Sequence, residues 1–585
     1  MQTMADNIVL APTLTHLLTA IVLIIAWGKI GLQRVLTVAG GVIALIFSVA
    51  LFVTHALPEG GRVTSLSGGN WLAPYGIAFV VDPISSILLL ANGVVGLACI
   101  VYGIGSIDSR REKWGFHALT HTLLSATTGA FIAGDLFNLY VWFEVMLISS
   151  FVLLTLAGGR SQLEGAIKYV ALNLLSSTIF LVGVGLLYGL VGTLNMADIG
   201  LRLRATDDPR LVTVIATLFI VAYGIKAGAF PLFFWLPASY HTPPAAVSAL
   251  FSGLLSKVGV YALMRVFLVV FPDDRGFTGT VMLWMGALTM LSGALGAMAQ
   301  RDFRRALSFQ IIGAVGFMLA GLGVALVCFD KAAGLTGAER DAYTAAAGIA
   351  LAGVVFYILH DIIVKTNLFM VAGQVQRRFG TGDIGRLGGV YRSAPFLSLL
   401  FMVPALSLAG IPVLSGFWGK LAVIRAGVQA EAFWVVGAAL VASVLTLYAM
   451  MKIWREAFWR DDARGEGEIA EEVRVECRYA EGGWRDRMMT APSAVLAVGA
   501  VVIGFAAGPI YSASERAAAH LLDPLQPDGY TRTVLQEERV DGVLAFIERR
   551  NIQFDVEPLD GESTEDPVAI SGVSLEGETG EGAGR

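Results

Sequence analysis

FIVAYGIKAGAFPLFFWLPASYHTPPAAVSALFSGLLSKVGVYALMR, residues 219–265, decides the fold. An apolar run carries Lys226, breaks at Gly228 and Pro231, and crosses a polar turn at His241, Thr242, Pro243 and Pro244. It then resumes as a second apolar run with Lys257 near its middle. Runs of this length and composition read as membrane-spanning helices, in which an ammonium group costs several kcal/mol, roughly 3 on insertion scales. Such a charge is kept where a partner, a water-filled cavity or a function requires it. A helix broken beside it frees backbone groups that lipid cannot satisfy and a polar channel can.

Working outward, the 585 residues are 56% hydrophobic and 15% charged, against about 25% charged for a soluble globular protein. This excludes a soluble globule and predicts an all-α polytopic membrane protein. Apolar stretches place about fourteen helices near 9–27, 34–53, 83–104, 116–134, 136–156, 166–190, 211–233, 245–270, 278–298, 306–327, 344–373, 395–424, 431–453 and 491–511. The first follows a leader without a cleavage site and reads as a retained span. Alternate loops, beginning with 29–34, hold about 21 Lys and Arg against about 8 in the opposite set, which predicts that the basic loops face the cytoplasm. The net charge of −5 shows no basic stripe for nucleic acid. Cys99, Cys328 and Cys477 are too scattered for a disulfide framework or a metal cluster. No cofactor is indicated.

Residues 54–82 read as an outer loop with a short hairpin at 76–81, after which Asp82 sits at the start of the next span, where the helix dipole favours a carboxylate. Glu144 lies nine residues beyond the turn at Gly134 and Asp135, roughly 13 Å deeper and near the bilayer centre. The break at Gly228 and Pro231 has a counterpart at Pro404, Gly410 and Pro412, followed by Lys420. Five spans separate the two breaks, and an odd offset inverts the second relative to the first. The expected organisation is N-terminal helices over 1–115, two inverted five-helix repeats over 116–270 and 278–453, a cytoplasmic loop and last helix over 454–511, and an acidic, partly disordered tail over 512–585. The apolar piece Val543-Leu544-Ala545-Phe546-Ile547 is a candidate for docking on a partner.

The ionisable set inside the spans is Glu144, Lys226, Lys257, His360, Asp361, Lys365 and Lys420. Proton movement over tens of Å needs groups whose charge can change, close enough for water to bridge. Burial disfavours the charged form of each, whereas proximity of Glu144 to Lys226 would favour both charges, so a modest separation could move a proton. Bland alternatives stand beside these roles. Lys420 could snorkel, His360 could be a satisfied core histidine, and Asp361 and Lys365, four apart, could form an intrahelical pair. His241 could gate protons or only close a helix end. His117 and His121 are also four apart but lack the glutamate of a zinc-binding HExxH, and small-residue pairs such as Gly185 and Gly189 report packing.

Glu144 in LYVWFEVMLISSFVLL, the stretch 224–263, HDIIVKTNLFMVAG at 360–373 and GIPVLSGFWGKL at 410–421 resemble the antiporter-like proteins shared by respiratory complex I and the Mrp-type multisubunit cation/proton antiporters. YGIAFVVDPISSILLL at 75–90, TPPAAVSALFSGLLSKVG and LLDPLQPDGYTRTVL at 521–535 are most similar to the D-subunit family of the Mrp type. The resemblance implies fourteen helices with two inverted repeats. It further implies a bacterial cytoplasmic-membrane subunit of a sodium/proton antiporter, with partner subunits and without a quinone or flavin site. It assigns proton translocation to Glu144, Lys226, Lys257, His360 and Lys420; Lys365 and His241 stay as further candidates from the reading of the residues alone. Asp361 departs from the pattern, standing where many relatives have a second histidine. Two rivals stay open: a proton-pumping subunit of complex I or a membrane-bound hydrogenase, and a membrane scaffold without transport.

Overall fold

The computed structural model describes residues 7–156, 158–206, 208–271, 275–461, 483–535 and 540–545. The first helices are α1 (Ala11–Ile25) and α2 (Ile30–His55). They are followed by an antiparallel pair, β1 (Thr64–Ser67) and β2 (Ala78–Val81), with Thr64 opposite Val81 and Ser67 opposite Ala78. Then come α3 (Pro83–Ser106), α4 (Phe116–Ile132), α5 (Leu136–Thr155), α6 (Arg160–Val191), α7 (Pro209–Ala227) and α8 (Ala245–Arg265). The second half holds α9 (Arg275–Ala299), α10 (Phe303–Ala333), α11 (Gly337–Phe379), α12 (Pro395–Ala409), α13 (Ser415–Gln429) and α14 (Phe433–Ile453). It closes with α15 (Trp484–Phe505), α16 (Ala507–Leu522) and α17 (Tyr530–Val534).

Among the described residues, twelve helices are long and apolar enough to cross a membrane. The difference from the expected fourteen falls at two places. Helix α4 has 17 residues and carries threonines and two histidines, and the span read at 395–424 is divided into α12 and α13, each of 15 residues. Helix α11 departs the other way. Its 43 residues run roughly 65 Å at 1.5 Å per residue, about twice the hydrocarbon thickness, so it projects beyond the bilayer.

Residue chemistry fixes the helix ends. Asp82 accepts from the Ser85 amide at 2.9 Å, and Asp135 accepts from the Phe137 and Asn138 amides at 2.8 and 2.9 Å, each satisfying donors that a first helical turn leaves free. Gly228 and Gly410 end α7 and α12 with φ of 79° and 90°, a left-handed geometry that glycine adopts without steric cost. At the first break the Trp235 indole donates to the Ile225 carbonyl at 3.0 Å and the Phe230 amide donates to Thr289 Oγ1 at 2.9 Å. Backbone groups freed by the break thus find partners inside the protein.

The centre of the bundle is α8, buried along the whole of its apolar window, with α10 and α11 at 94% and 89%; α1 and α2 reach 33%. A helix apolar on all sides belongs in the core, and α8 is the one that carries Lys257. The described part of the tail is ordered and docked. Helix α16 runs across residue 512, Arg516 donates to the Ala56 carbonyl at 2.7 Å, His520 Nε2 lies 2.7 Å from the Gly60 carbonyl oxygen, and Ser65 donates to the Thr533 carbonyl at 3.0 Å. The expected tail boundary at 512 therefore falls inside a helix that packs on the loop between α2 and α3. Val543 and Leu544 pack on this chain's own core, whereas Phe546 and Ile547, Cys477, most of the 454–490 loop and the remaining acidic tail lie outside the described residues.

Candidate functional site

Glu144 is half-buried on α5, and its Oε1 has no hydrogen-bond partner among the described residues. Lys226, in the last turn of α7, is buried. It donates to Ser177 Oγ on α6 at 3.0 Å, and its Nζ lies 4.7 Å from the centroid of the Phe143 ring, beside Glu144 in sequence. No direct ion pair joins Glu144 and Lys226 among the described residues; the ammonium is held instead by Ser177 and the Phe143 ring.

From Lys226 the line continues to α8. A Cβ built on Gly259 would lie 2.6 Å from the Ala227 nitrogen and 3.0 Å from the Lys226 carbonyl carbon. Only a bare glycine lets α7 and α8 touch at this level, two residues from Lys257. Gly259→Val is expected to force the helices apart and lower the melting temperature of the detergent-solubilised protein, whereas the same change at Gly437, where nothing lies within 4 Å, should leave it unchanged.

Lys257 is completely buried, donates to the Ser252 carbonyl at 2.7 Å, and pairs with Asp361 Oδ2 of α11 at 2.6 Å. Asp361 Oδ1 lies 4.0 Å from Lys365 Nζ. This changes the reading of Asp361. Its short contact crosses from α11 to α8, and the intrahelical contact to Lys365 is the longer one; Coulomb attraction falls with distance, so the cross-helix pair dominates. Helices α8 and α11 approach closely because Gly253 faces Thr366 and the Ile362 carbonyl.

One residue before Asp361, His360 Nδ1 is 2.8 Å from Ser415 Oγ, which is 2.8 Å from Ser407 Oγ, while the Gly416 amide donates to Ser407 Oγ at 3.2 Å. This ties α11 to both sides of the second break. His360 Nε2 is buried and unpartnered among the described residues. Lys420, one turn into α13, donates to the Leu408 and Ala409 carbonyls at 2.9 and 3.3 Å and to Ser443 Oγ at 3.4 Å. It thereby fills the acceptors left at the end of α12, and a border snorkelling role does not describe it. It borders a small cavity lined by Gln310, Phe317, Tyr357 and Thr446. Gln310 Nε2, buried and unpartnered among the described residues, adds a polar site next to that cavity.

His241 stands apart from this line. Its Nδ1 donates to the Pro237 carbonyl at 2.8 Å, in a turn where Arg304 donates to the Pro243 carbonyl at 2.7 Å. Burial lowers its affinity for a proton, against the attraction of Asp302. Sequence reasoning passed over Arg265, which donates to Asp82 Oδ2 at 2.7 Å, to Ser85 Oγ and to Tyr261 Oη, and lies 4.7 Å from the Tyr530 ring of the tail. An arginine closing an otherwise apolar run was the available signal. Among the described residues no three His, Cys, Asp or Glu side chains are placed to share a metal ion.

Broken helices meeting a line of buried acids and bases at the centre of a polytopic bundle define a membrane transport protein. Residues 133–334 and 342–446 match the model of the NADH:quinone oxidoreductase/Mrp antiporter membrane family, and the chain belongs to that family. It is 40% identical over 532 residues to the Na(+)/H(+) antiporter D subunit of Alkalihalophilus pseudofirmus and 36% identical to that of Bacillus subtilis, covering 91% of this chain and 100% of each relative. A chain in the structure of the Mrp complex from Dietzia sp. superposes with a TM-score of 0.77 at 29% identity, covering 91% of this chain and 100% of that one.

Proposed function

We propose that this chain is the proton-translocating subunit of a multisubunit Na+/H+ antiporter of the bacterial cytoplasmic membrane, a secondary transporter subunit that acts with partner subunits. The observation that carries this reading is that Glu144, Lys226, Lys257, His360, Asp361, Lys365 and Lys420 all fall within the family-matched residues and lie on helices that touch one another in that order. The repeats over 116–270 and 278–453 are part of the proposal, with the paired breaks at Gly228 and Gly410 as their support.

Each group has a role in it. Glu144 exchanges a proton through its unpartnered oxygen. Lys226 is held at Ser177 beside the Phe143 ring, and movement of this ammonium towards or away from the carboxylate changes the field in which Glu144 exchanges its proton. Lys257 receives the proton across the α7–α8 contact. Asp361 holds Lys257 and Lys365 within reach of each other and takes the place of a neutral link. His360 and the Ser415–Ser407 hydroxyls lead to Lys420 and the cavity beside Gln310. Water bridges the steps that side chains do not span.

The test uses everted vesicles from a host without sodium/proton exchange, carrying the whole subunit set. Sodium addition should collapse an imposed pH gradient, and omission of this chain should abolish that response. Sodium-dependent collapse that persists without the chain, or proton pumping that needs a redox donor, would contradict the proposal.

A further inference from the structure

Outside the family-matched residues, α1, α2 and α4 enclose a second set of titratable groups. His16 of α1 and His121 of α4 meet with their Nδ1 atoms 3.0 Å apart, and both are buried, 2% and 0% exposed. His121 Nε2 lies 2.9 Å from Thr37 Oγ1 and 3.1 Å from the Thr37 carbonyl oxygen of α2. One turn back along α4, His117 Nε2 lies 3.2 Å from Glu112 Oε1, and Arg34 of α2 grips both oxygens of Glu112 at 2.8 Å.

The hydrogen positions follow from what each atom can do. A carbonyl only accepts, so the Thr37 carbonyl places the His121 proton on Nε2 and leaves His121 Nδ1 as a lone pair. His16 Nδ1 then carries the hydrogen shared between the rings. His16 Nε2 is left as a bare lone pair, and it has no partner among the described residues. Thr13 Oγ1, one turn away on α1, is also buried and unpartnered among them. A buried imidazole with an open acceptor, backed by a second imidazole, is a site for one more proton.

We propose that the His16–His121 pair is a proton-binding site in the N-terminal helices, charged from the basic-loop side past Arg34, Glu112 and His117. Uptake adds one proton from water to His16 Nε2, and the charge is shared across the Nδ1 contact by shifting the hydrogen already there; no other bond changes. The charged groups facing the pair are few. His117 lies one turn back along α4 and Glu112 in the short loop helix before it, Arg34 approaches Glu112 from α2, and neutral Thr13, Thr37 and Ser125 complete the surroundings. Glu112 lies in the loop helix Ser109–Lys113. Burial raises its carboxyl, but the bonds from His117 and Arg34 outweigh this and hold it below its ordinary value, so it stays anionic where a proton arrives. Its side chain is fully covered, and Arg34, 24% exposed, stands between it and solvent. His121 is five residues into α4, about 8 Å along the helix.

The site itself stands on this geometry; its use in exchange rests on the function proposed above. An imidazole pair holds an extra proton only toward the acid end of the pH profile. His16→Gln with His121→Asn, made in the complete complex, is expected to lower sodium-driven exchange about threefold at the acid end of the pH profile, where the pair carries its extra proton, and to leave the alkaline end, where the pair is neutral in the wild type as well, unchanged. Glu112→Gln should reproduce this shift with the pair intact. Infrared difference spectra of the purified complex, stepped from alkaline to acid pH, read the site without transport: the wild type should show an imidazole protonation band that the double variant lacks. Identical spectra, a superimposable pH profile, or an equal loss of rate at every pH, as a purely structural role gives, would overturn the proposal. If the double variant does not assemble, His16→Gln alone is read by the same spectra against the wild type. Loss of transport in every form with the band difference intact would count against the proposed function and not against this site.

Discussion

Asp361→Asn is expected to reduce sodium-driven proton movement at least tenfold while the protein still inserts. The carboxylate is 2.6 Å from Lys257 Nζ and 4.0 Å from Lys365 Nζ, and all three side chains are completely buried. Removing one member of such a set leaves an ammonium without its counter-charge, a loss of roughly 3–5 kcal/mol where the charge persists. Asp361→Glu keeps the charge but lengthens the side chain by one methylene in a close-packed site, and should restore part of the rate. Exchange in vesicles, scaled to the amount of complex in the membrane, checks both. Wild-type exchange in the asparagine variant would remove Asp361 from the path.

Glu144→Gln is expected to bring exchange to background. Glutamine has the size of the acid and can fill its place on α5, but it can neither bind nor release a proton. Because Oε1 has no partner among the described residues, the substitution breaks no hydrogen bond there, and assembly should be unaffected. Lys226→Ala should be as damaging for a different reason: it removes the group held by Ser177 and the Phe143 ring, so the acid loses the partner whose movement sets its charge. Measured together, the two variants separate loss of the acid from loss of its control.

The sequence made the membrane class legible because length and polarity of apolar runs are local properties. It also showed the two breaks, since Gly228 and Gly410 are punctuation that a helix cannot hide, and it singled out Glu144, Lys226, Lys257 and Lys420 by the cost of burying them. What it left open depends on contacts between distant segments. Asp361 looked like the partner of Lys365 because they are four apart, and only the packing of α8 on α11 reveals Lys257 as its nearer partner. Lys420 could have been a border residue until the Leu408 and Ala409 carbonyls were seen to need it. Arg265 and Asp82 are 183 residues apart, and His16 and His121 are 105 apart; no period or motif connects either pair. The extent of α11 escaped because its ends are polar enough to read as loops.

The central claim is that the buried groups of the two halves work in series as one path. Exchange by the reconstituted complex is therefore to be measured for Glu144→Gln, Lys420→Ala and the double variant, at matched protein levels. A single series path predicts that each substitution alone abolishes exchange and that the double variant is no worse than either. Each single variant retaining a substantial share of the rate, with only the double reaching background, would mean two parallel routes and would contradict it.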